Sequence, residues 1–223
     1  MSEKIRVVIT GATGMVGEGV LYECLRNPKV EAILVINRKP CGYIHSKLKE
    51  IIHQDFFDFS SIENQLIGYN ACYFCLGITS VGTAKDVYFK MTYTLTMHVA
   101  GTLSKLNEDM TFCYVSGAGT NSSEKGGINW AIVKGKTEND LMKLPFKQVF
   151  NFRPGIIKPI KGLKYTQPYY KVFMWLFPIL KVINKNSFVT LQELGLAMIN
   201  TSNHQSIKTV VEVKRIKTLA QES

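Results

Sequence analysis

The chain has 223 residues, of which 46% are hydrophobic and 20% charged, and its formal net charge is +10. Such a chain buries enough apolar surface to fold without disulfide or metal staples, and its composition excludes disordered and collagen-like classes. The five cysteines are an odd number in apolar surroundings, as is typical of free thiols in a reducing compartment. No signal peptide, spanning segment or ligand-spaced histidine cluster is visible, so we expect a cytoplasmic protein without a metal site.

Strand and helix patterns alternate along the first 153 residues. Apolar runs predict strands at Ile5–Thr10, Ala32–Asn37, Glu50–His53, Ala71–Leu76, Thr111–Ser116 and Gln148–Phe152. Helical patterns lie between them, ending near Arg26 and covering Ser60–Leu66, Asp86–Leu106 and Trp130–Leu144. Near-continuous apolar strands alternating with helices indicate a parallel sheet that is covered on both faces. The predicted fold class is therefore α/β, with a Rossmann-type doubly wound parallel sheet.

The C-terminal part has a different character. Lysines, prolines and an aromatic run, Tyr169–Phe177, replace the regular alternation, before a predicted helix at Leu191–Asn200 and a predicted strand at Lys208–Val213. We expect one domain over residues 1–223, with a nucleotide-binding core (1–153) and a small C-terminal substrate lobe that includes returning core elements (154–223). The aromatic run is compatible with a buried lid, a homodimer face or a membrane-surface segment; core or subunit contact is the commoner outcome, so membrane association is not expected.

The same region is strongly basic. Between Leu141 and Gln192 there is no Asp or Glu, and this stretch holds nine of the 27 Lys and Arg residues. A local positive field attracts an anion, although a solvated lysine-rich surface accounts for the pattern as well. No nucleic-acid motif surrounds these lysines, so nucleic acid is not an expected partner. The expected partner is a small-molecule substrate, which is anionic if the basic region binds it.

A glycine-rich run, TGATGMVG, lies where the first strand turns into the first helix. Its first glycine permits a tight turn, the second lets the backbone approach a pyrophosphate, and the third allows close packing of helix on strand. The helix N-terminus then presents free N–H groups to the phosphates. This strand–turn–helix context predicts dinucleotide binding. The candidate contacts are Thr10, Gly11, Thr13, Gly14, Met15, Val16 and Gly17.

The glycine spacing and four later motifs resemble the extended and atypical short-chain dehydrogenase/reductases, the group that includes nucleotide-sugar epimerases and dehydratases. The later motifs are CLGIT after the fourth strand, SGAG after the fifth, VKGKTE in the next helix and FRPG after the sixth strand. The combination is most similar to small atypical members related to the human Tat-interacting protein. The resemblance implies an NAD(P)-binding domain and places Arg153, Pro154 and Gly155 beside the cofactor.

The residues after the second strand indicate which nicotinamide cofactor is bound. NAD-binding proteins of this fold carry an acidic residue there for the ribose hydroxyls. This chain has Asn37-Arg38-Lys39, and a guanidinium can bind a 2′-phosphate bidentately. We therefore expect NADP(H) to be favoured over NAD(H). Asp55 and Phe56 match the family's adenine position, and Leu76 and Gly77 follow the fourth strand beside the cofactor.

The resemblance also implies a catalytic set, and one member of it is replaced. Redox-active members use a Ser or Thr after the fifth strand with Tyr-x-x-x-Lys on the next helix, where the tyrosine transfers the proton. Ser116 and Lys134 occupy the serine and lysine positions, but the tyrosine position is Trp130. An indole N–H donates a hydrogen bond but is not an acid or base near neutral pH.

Two functions therefore stay open. The first is an NADP(H)-dependent enzyme, epimerase-like or carbonyl-reducing, in which another acid such as Tyr114, the substrate or water carries the proton. The second is a non-catalytic NADP(H)-binding regulator or scaffold that acts through protein partners. Trp130 favours the regulator, whereas the presence of Ser116 and Lys134 favours the enzyme.

Overall fold

A computed structural model describes residues 3–165, 187–202 and 208–222. Within these ranges the strands, in chain order, are β1 Ile5–Thr10, β2 Val30–Asn37, β3 Leu48–Ile52, β4 Ala71–Phe74, β5 Thr111–Val115, β6 Gln148–Arg153, β7 Ile156–Lys158, β8 Phe188–Thr190 and β9 Lys208–Glu212. The helices are α1 Met15–Arg26, α2 Lys85–Phe89, α3 Leu95–Leu106, α4 Asn129–Leu141, α5 Leu191–Thr201 and α6 Val213–Leu219. A π-helical turn, Lys90–Thr94, joins α2 to α3.

Seven strands form one parallel sheet in the order β3-β2-β1-β4-β5-β6-β9. The chain therefore winds outward from β1 in both directions, and the carboxyl ends of β1 and β4 flank the point where the direction reverses. Ligands of doubly wound sheets bind in the crevice at this point. The strands β7 and β8 form a separate parallel pair. The predicted doubly wound α/β fold is confirmed.

Alternating side chains of the strands build one core on each face of the sheet. Val7 and Ile9 lie in the core that includes buried residues of α1 and α5, whereas Val8 lies in the core that includes buried residues of α3. All three are fully buried. The near-continuous apolar pattern of the strands follows from this arrangement, because both faces are covered.

The structure differs from the sequence prediction in the connections. The predicted helix at Ser60–Leu66 is reduced to a 3₁₀ turn, Glu63–Gln65, and the predicted helix at Asp86–Leu106 is interrupted by the π-helical turn. The last strand ends at Glu212, where the unpredicted α6 begins, and the β7–β8 pair was also not predicted. The aromatic run Tyr169–Phe177 lies outside the described residues, so the homodimer and the division into core and lobe stay predictions.

A buried carboxylate fastens the start of the C-terminal part to the core. Glu18 of α1 is fully buried and accepts hydrogen bonds from the backbone N–H groups of Lys164 and Tyr165, each at 2.7 Å. The hydroxyl of Tyr43 also donates to Glu18, at 2.7 Å. Burial raises the pKa of Tyr43, as does this hydrogen bond, so the phenol stays protonated. Glu18 thus joins α1, the β2–β3 loop and residues 164–165.

Substituting Gly17 tests the packing of α1 on the glycine turn. A Cβ at Gly17 would lie 2.2 Å from the carbonyl oxygen of Gly11, and backbone atoms cannot rotate away as a side chain can. We expect Gly17→Ala to lower the free energy of unfolding in urea by about 3 kcal/mol or more.

Gly101→Ala is the matched control, because a Cβ at this position in α3 meets no atom within 4 Å. Alanine has the higher helix propensity, so this variant should gain about 0.5–1 kcal/mol. Equal stabilities of the two variants would contradict the close packing at Gly17.

Candidate functional site

The glycine turn between β1 and α1 forms a cradle for a phosphate group. Gly11 adopts φ +75°, and its carbonyl oxygen accepts a hydrogen bond from Gly14 N at 2.9 Å. The first bond within α1 runs from Glu18 N to Gly14 O, at 2.8 Å, so the amides of Met15, Val16 and Gly17 have no acceptor within the helix. Unpaired N–H groups at a helix N-terminus bind anions.

The cradle has the shape that a dinucleotide requires. A Cβ at Gly11 would lie 2.8 Å from the backbone of Cys75 and Leu76, so the turn closes against β4 only because no side chain intervenes. Thr10 lies immediately before it, and its buried Oγ1 has no hydrogen-bond partner in the part of the chain that the structure describes. The residues therefore fit a pyrophosphate at this point.

Two small cavities continue from the cradle towards β2 and β3. The first, of about 220 Å³, is lined by Thr13, Asn37, Arg38 and Phe56 beside the glycines and Leu76. The second, of about 270 Å³, is lined by Arg38, Asp55, Phe56, Leu76 and Gly77 with other residues. Arg38 is exposed at the junction. The residues predicted for the adenosine half of the cofactor are thus brought together.

A carboxylate that the sequence interpretation missed reaches the end of β2 from the neighbouring strand. Glu50 of β3 accepts a hydrogen bond from the side-chain amide of Asn37 at 3.1 Å and another from Cys41 N at 2.8 Å. The parallel pairing of β2 with β3 brings Glu50 near this point. Glu50 does not line the described part of the Arg38 cavity, and its two donors hold it in place.

A larger cavity, of about 820 Å³, opens on the other side of the cradle. It shares Gly14, Cys75, Leu76 and Gly77 with the first adenosine-side cavity, so the two are contiguous. The predicted residues in its lining are Gly14, Met15, Val16, Leu76, Gly77, Ser116, Lys134, Pro154 and Gly155. Tyr114 and Thr92 also line it, the latter from the π-helical turn. No sequence signal marked that turn.

The hydroxyl of Ser116 is engaged by groups outside the cavity. Ser116 is 5% exposed, and its Oγ lies 2.5 Å from Glu138 Oε1 and 3.0 Å from the carbonyl oxygen of Phe152. A hydroxyl has one proton, and here both neighbouring atoms are acceptors. Ser116 thus lines the cavity, but its hydroxyl proton is donated to an acceptor of the protein itself.

Glu138 is the centre of a buried charged network. Its carboxylate is fully buried. It accepts hydrogen bonds from Arg153 Nε at 3.0 and 3.2 Å and from Arg153 Nη2 at 2.5 Å. Arg153 also pairs with Glu212 of β9 at 3.2 Å and donates to Ser122. The Glu138 carboxylate raises the pKa of Arg153. The guanidinium of Arg153, predicted to contact the cofactor, is instead directed to this network and is absent from the described lining of the cavities.

Lys134 and Trp130 lie one turn apart on α4 but have different surroundings. Lys134 lines the large cavity, and its Nζ donates to the main-chain oxygen of Ser116. Burial lowers the pKa of Lys134 to about 8, against the opposing effect of Glu138. Trp130 is half-buried with its ring beside Gly119, where a Cβ would lie 3.5 Å from Cη2. Trp130 does not belong to the described cavity lining.

The phenol of Tyr114 also lines the cavity. Tyr114 is 2% exposed, and burial raises its pKa far above the ordinary value, with Tyr88 and Glu138 adding to the shift. The group therefore stays protonated and is able to donate a hydrogen bond. Its acidity is weaker than that of a free phenol.

The sheet order and the site at its switch point define the Rossmann-like α/β fold that short-chain dehydrogenase/reductases and sugar-nucleotide epimerases share. UDP-glucose 4-epimerase from Thermotoga maritima, solved with UDP-glucose, has a TM-score of 0.67 at 12% identity, covering 97% of this chain and 82% of the epimerase. UDP-glucuronic acid 4-epimerase from Bacillus cereus, solved with NAD, has a TM-score of 0.66 at 11% identity, covering 93% and 78%. At these identities the likeness shows the fold alone.

Sequence comparison finds fungal relatives of low identity. The mitochondrial protein FMP52 of Candida albicans is 27% identical over 154 residues, which are 67% of this chain and 66% of the relative. FMP52 of Saccharomyces cerevisiae is 24% identical over 150 residues, covering 66% and 64%. The matches thus span about two thirds of the relatives' own length. No family model matches the chain.

The predicted cytoplasmic location is wrong, because these curated relatives are named as mitochondrial proteins. That prediction rested on the absence of a visible signal peptide. A signal peptide directs secretion, so its absence gives no information about import into an organelle. Over the described ranges, no helix combines the length and the apolar character needed to cross a bilayer. The same ranges contain no group of three or more His, Cys, Asp or Glu side chains that could hold a metal ion.

Removing the charge of Glu138 tests the buried network. Glu138→Gln leaves the guanidinium of Arg153 without its buried counter-charge, and breaking such a pair costs about 3–5 kcal/mol. We expect a loss of this size in the free energy of unfolding, measured by urea denaturation.

Glu212→Gln is the control, because it removes the other carboxylate from Arg153 at a position whose side chain is 57% exposed. Its loss should stay within about 1 kcal/mol. If the two variants unfold at the same urea concentration, the network does not stabilise the site.

Proposed function

We propose that the chain binds NADP(H) in the contiguous cavities and reduces a small carbonyl compound. The observation that carries the proposal is the continuity of the three cavities through Leu76 and Gly77, which line all of them. Arg38 lies at one end of this groove, the cradle in the middle, and Lys134 at the other end. A dinucleotide has the same sequence of parts: an adenosine, a pyrophosphate and a nicotinamide riboside.

Arg38 supports the preference for NADP(H). Its side chain is exposed at the cavity that Thr13 and Asn37 also line, where a 2′-phosphate would meet the guanidinium. Asn37 stands where NAD-binding proteins carry the acidic residue. Glu50 is outside the described lining of this cavity, and its Oε1 accepts hydrogen bonds from Asn37 and Cys41.

The described lining of the large cavity suits a small carbonyl compound. Most of its members are apolar, such as Ile78, Ile156 and Ile157, and Lys134 is the single charged side chain among them. The structural neighbours solved with UDP-glucose or NAD support a small-molecule substrate beside a nicotinamide cofactor.

The residues of this chain have distinct roles in the proposed reduction. When bound, the reduced nicotinamide supplies the hydride. The first-turn amides of α1 hold the pyrophosphate, and Arg38 fixes the adenosine end. Tyr114 donates a hydrogen bond from the cavity wall, and the apolar lining excludes water from the reacting carbon.

A non-catalytic NADP(H)-binding regulator is the second candidate, and Trp130 favours it. The indole stands at the family's tyrosine position, and Ser116 holds its proton against Glu138. The two functions differ in one measurement. An enzyme oxidises NADPH when a panel of aldehydes and ketones is added, whereas a regulator binds NADPH and leaves it unchanged. We propose a mitochondrial location for either, from the names of the fungal relatives.

Arg38→Ala tests the cofactor preference. Hydrogen bonds to charged groups contribute about 1.5–3 kcal/mol, so NADPH should bind the wild type at least about tenfold more tightly than NADH. Arg38→Ala should remove most of this difference by weakening NADPH binding alone, as measured by calorimetric titration of both cofactors.

Lys39→Ala is the matched control, because Lys39 is an adjacent exposed cation outside the described cavity lining. It should keep the preference. Equal affinity of the wild type for NADPH and NADH would contradict the assignment of Arg38.

A further inference from the structure

The proposed reduction needs a proton donor, and the family's tyrosine is replaced. Of the hydroxyls in the described cavity lining, that of Ser116 is committed to Glu138 and the Phe152 carbonyl. The hydroxyls of Thr79, Thr92 and Ser187 are aliphatic alcohols and too weakly acidic. The phenol of Tyr114 and the thiol of Cys75 both have a raised pKa, because they are buried. Lys134 is the remaining group.

We propose that Lys134 is the general acid of the carbonyl reduction, an inference that rests on the proposed function. The geometry supports it, because Lys134 lines the cavity and its Nζ donates a hydrogen bond to the main-chain oxygen of Ser116, the residue that follows β5. An ammonium group has three N–H donors, so one bond to Ser116 leaves two for other acceptors. The carbonyl oxygen of a bound substrate is such an acceptor.

The reduction transfers one hydride and one proton to the carbonyl group. NADPH, when bound beside Lys134, would supply the hydride that reduces the carbonyl carbon and would itself be oxidised to NADP⁺. The π electrons of the C=O bond move to the oxygen, which takes a proton as an N–H bond of Lys134 breaks. The alcohol leaves, the neutral amine takes a proton from water, and NADP⁺ is exchanged for NADPH.

The charged and titratable groups around Lys134 make it suitable for this task. Glu138 follows one turn later on α4 and is paired with Arg153 of β6, while Tyr114 of β5 and Cys75, the residue after β4, stay uncharged. The ammonium therefore lies in a desolvated place without a direct counter-ion, and its pKa of about 8 follows from this burial. A donor works best when its pKa lies near the operating pH. The protonated form is the active one, so turnover should fall as the pH rises through about 8.

Lys134→Arg is the decisive variant. Arginine keeps the positive charge and the N–H donors, but it does not release a proton. NADPH binding should stay within about threefold of the wild type, while kcat falls by about 10²–10⁴-fold and its decline near pH 8 disappears. Lys136→Arg is the matched control, because Lys136 pairs with Asp140 outside the described cavity lining. It should change neither quantity.

A second readout does not depend on turnover. Lysines labelled by reductive ¹³C-methylation titrate in NMR spectra, and the signal that Lys134→Arg removes belongs to Lys134. Its midpoint should lie near 8, against about 10.4 for an ordinary lysine. A midpoint near the ordinary value would overturn the inference.

The remaining outcomes separate the inference from the proposed function. If the wild type reduces a carbonyl compound but Tyr114→Phe abolishes turnover while Lys134→Arg keeps the wild-type pH profile, Tyr114 is the acid and only the inference fails. If the wild type binds NADPH tightly and reduces no member of the aldehyde and ketone panel, both the reductase function and the inference fail, and the regulator stands.

Discussion

The buried pair of Glu138 and Arg153 is the interaction on which the candidate site depends. Glu138 comes from α4 and Arg153 from the end of β6, and through Ser116 and Glu212 the pair reaches β5 and β9. Four elements are thereby fixed at the carboxyl edge of the sheet. Lys134 precedes Glu138 by one turn, so the ion pair that anchors the helix also fixes where the lysine stands. A buried carboxylate is costly unless it is paired and hydrogen-bonded, and Glu138 is both.

Apolar periodicity was sufficient to predict the sheet. The central strands β2, β4 and β5 are close to continuously apolar because helices cover both faces. In strands that face water on one side, apolar and polar residues alternate instead. The glycine turn was predictable for a similar reason, since Gly11 and Gly17 are required by backbone contacts that leave no room for a side chain. The structural role of a residue can be predicted from the sequence where local steric contacts dictate the residue type.

The orientation of the polar side chains was not predictable in the same way. Ser116 lies at the expected place, but whether its hydroxyl faces the cavity depends on Glu138, which is 22 residues away in the chain. Arg153 was assigned to the cofactor because the motif around it is shared, whereas its direction is set by two carboxylates from other elements. Glu50 reaches Asn37 only through the pairing of β2 with β3. These are long-range contacts, and spacing along the chain does not encode them.

The π-helical turn at Lys90–Thr94 lines the cavity, whereas the part of the helical segment that follows it packs in the core. A π-helical turn accommodates one extra residue, and each residue rotates the helix by about 100°, so the residues on either side of the turn follow different faces. Beyond it, Leu95 and Val99 of α3 pack in the core, while Thr92 within it borders the cavity. Changes in the turn therefore alter the cavity wall without shifting the register of α3 on the sheet. The side chain at position 92 can therefore differ while Leu95 and Val99 keep their places in the core.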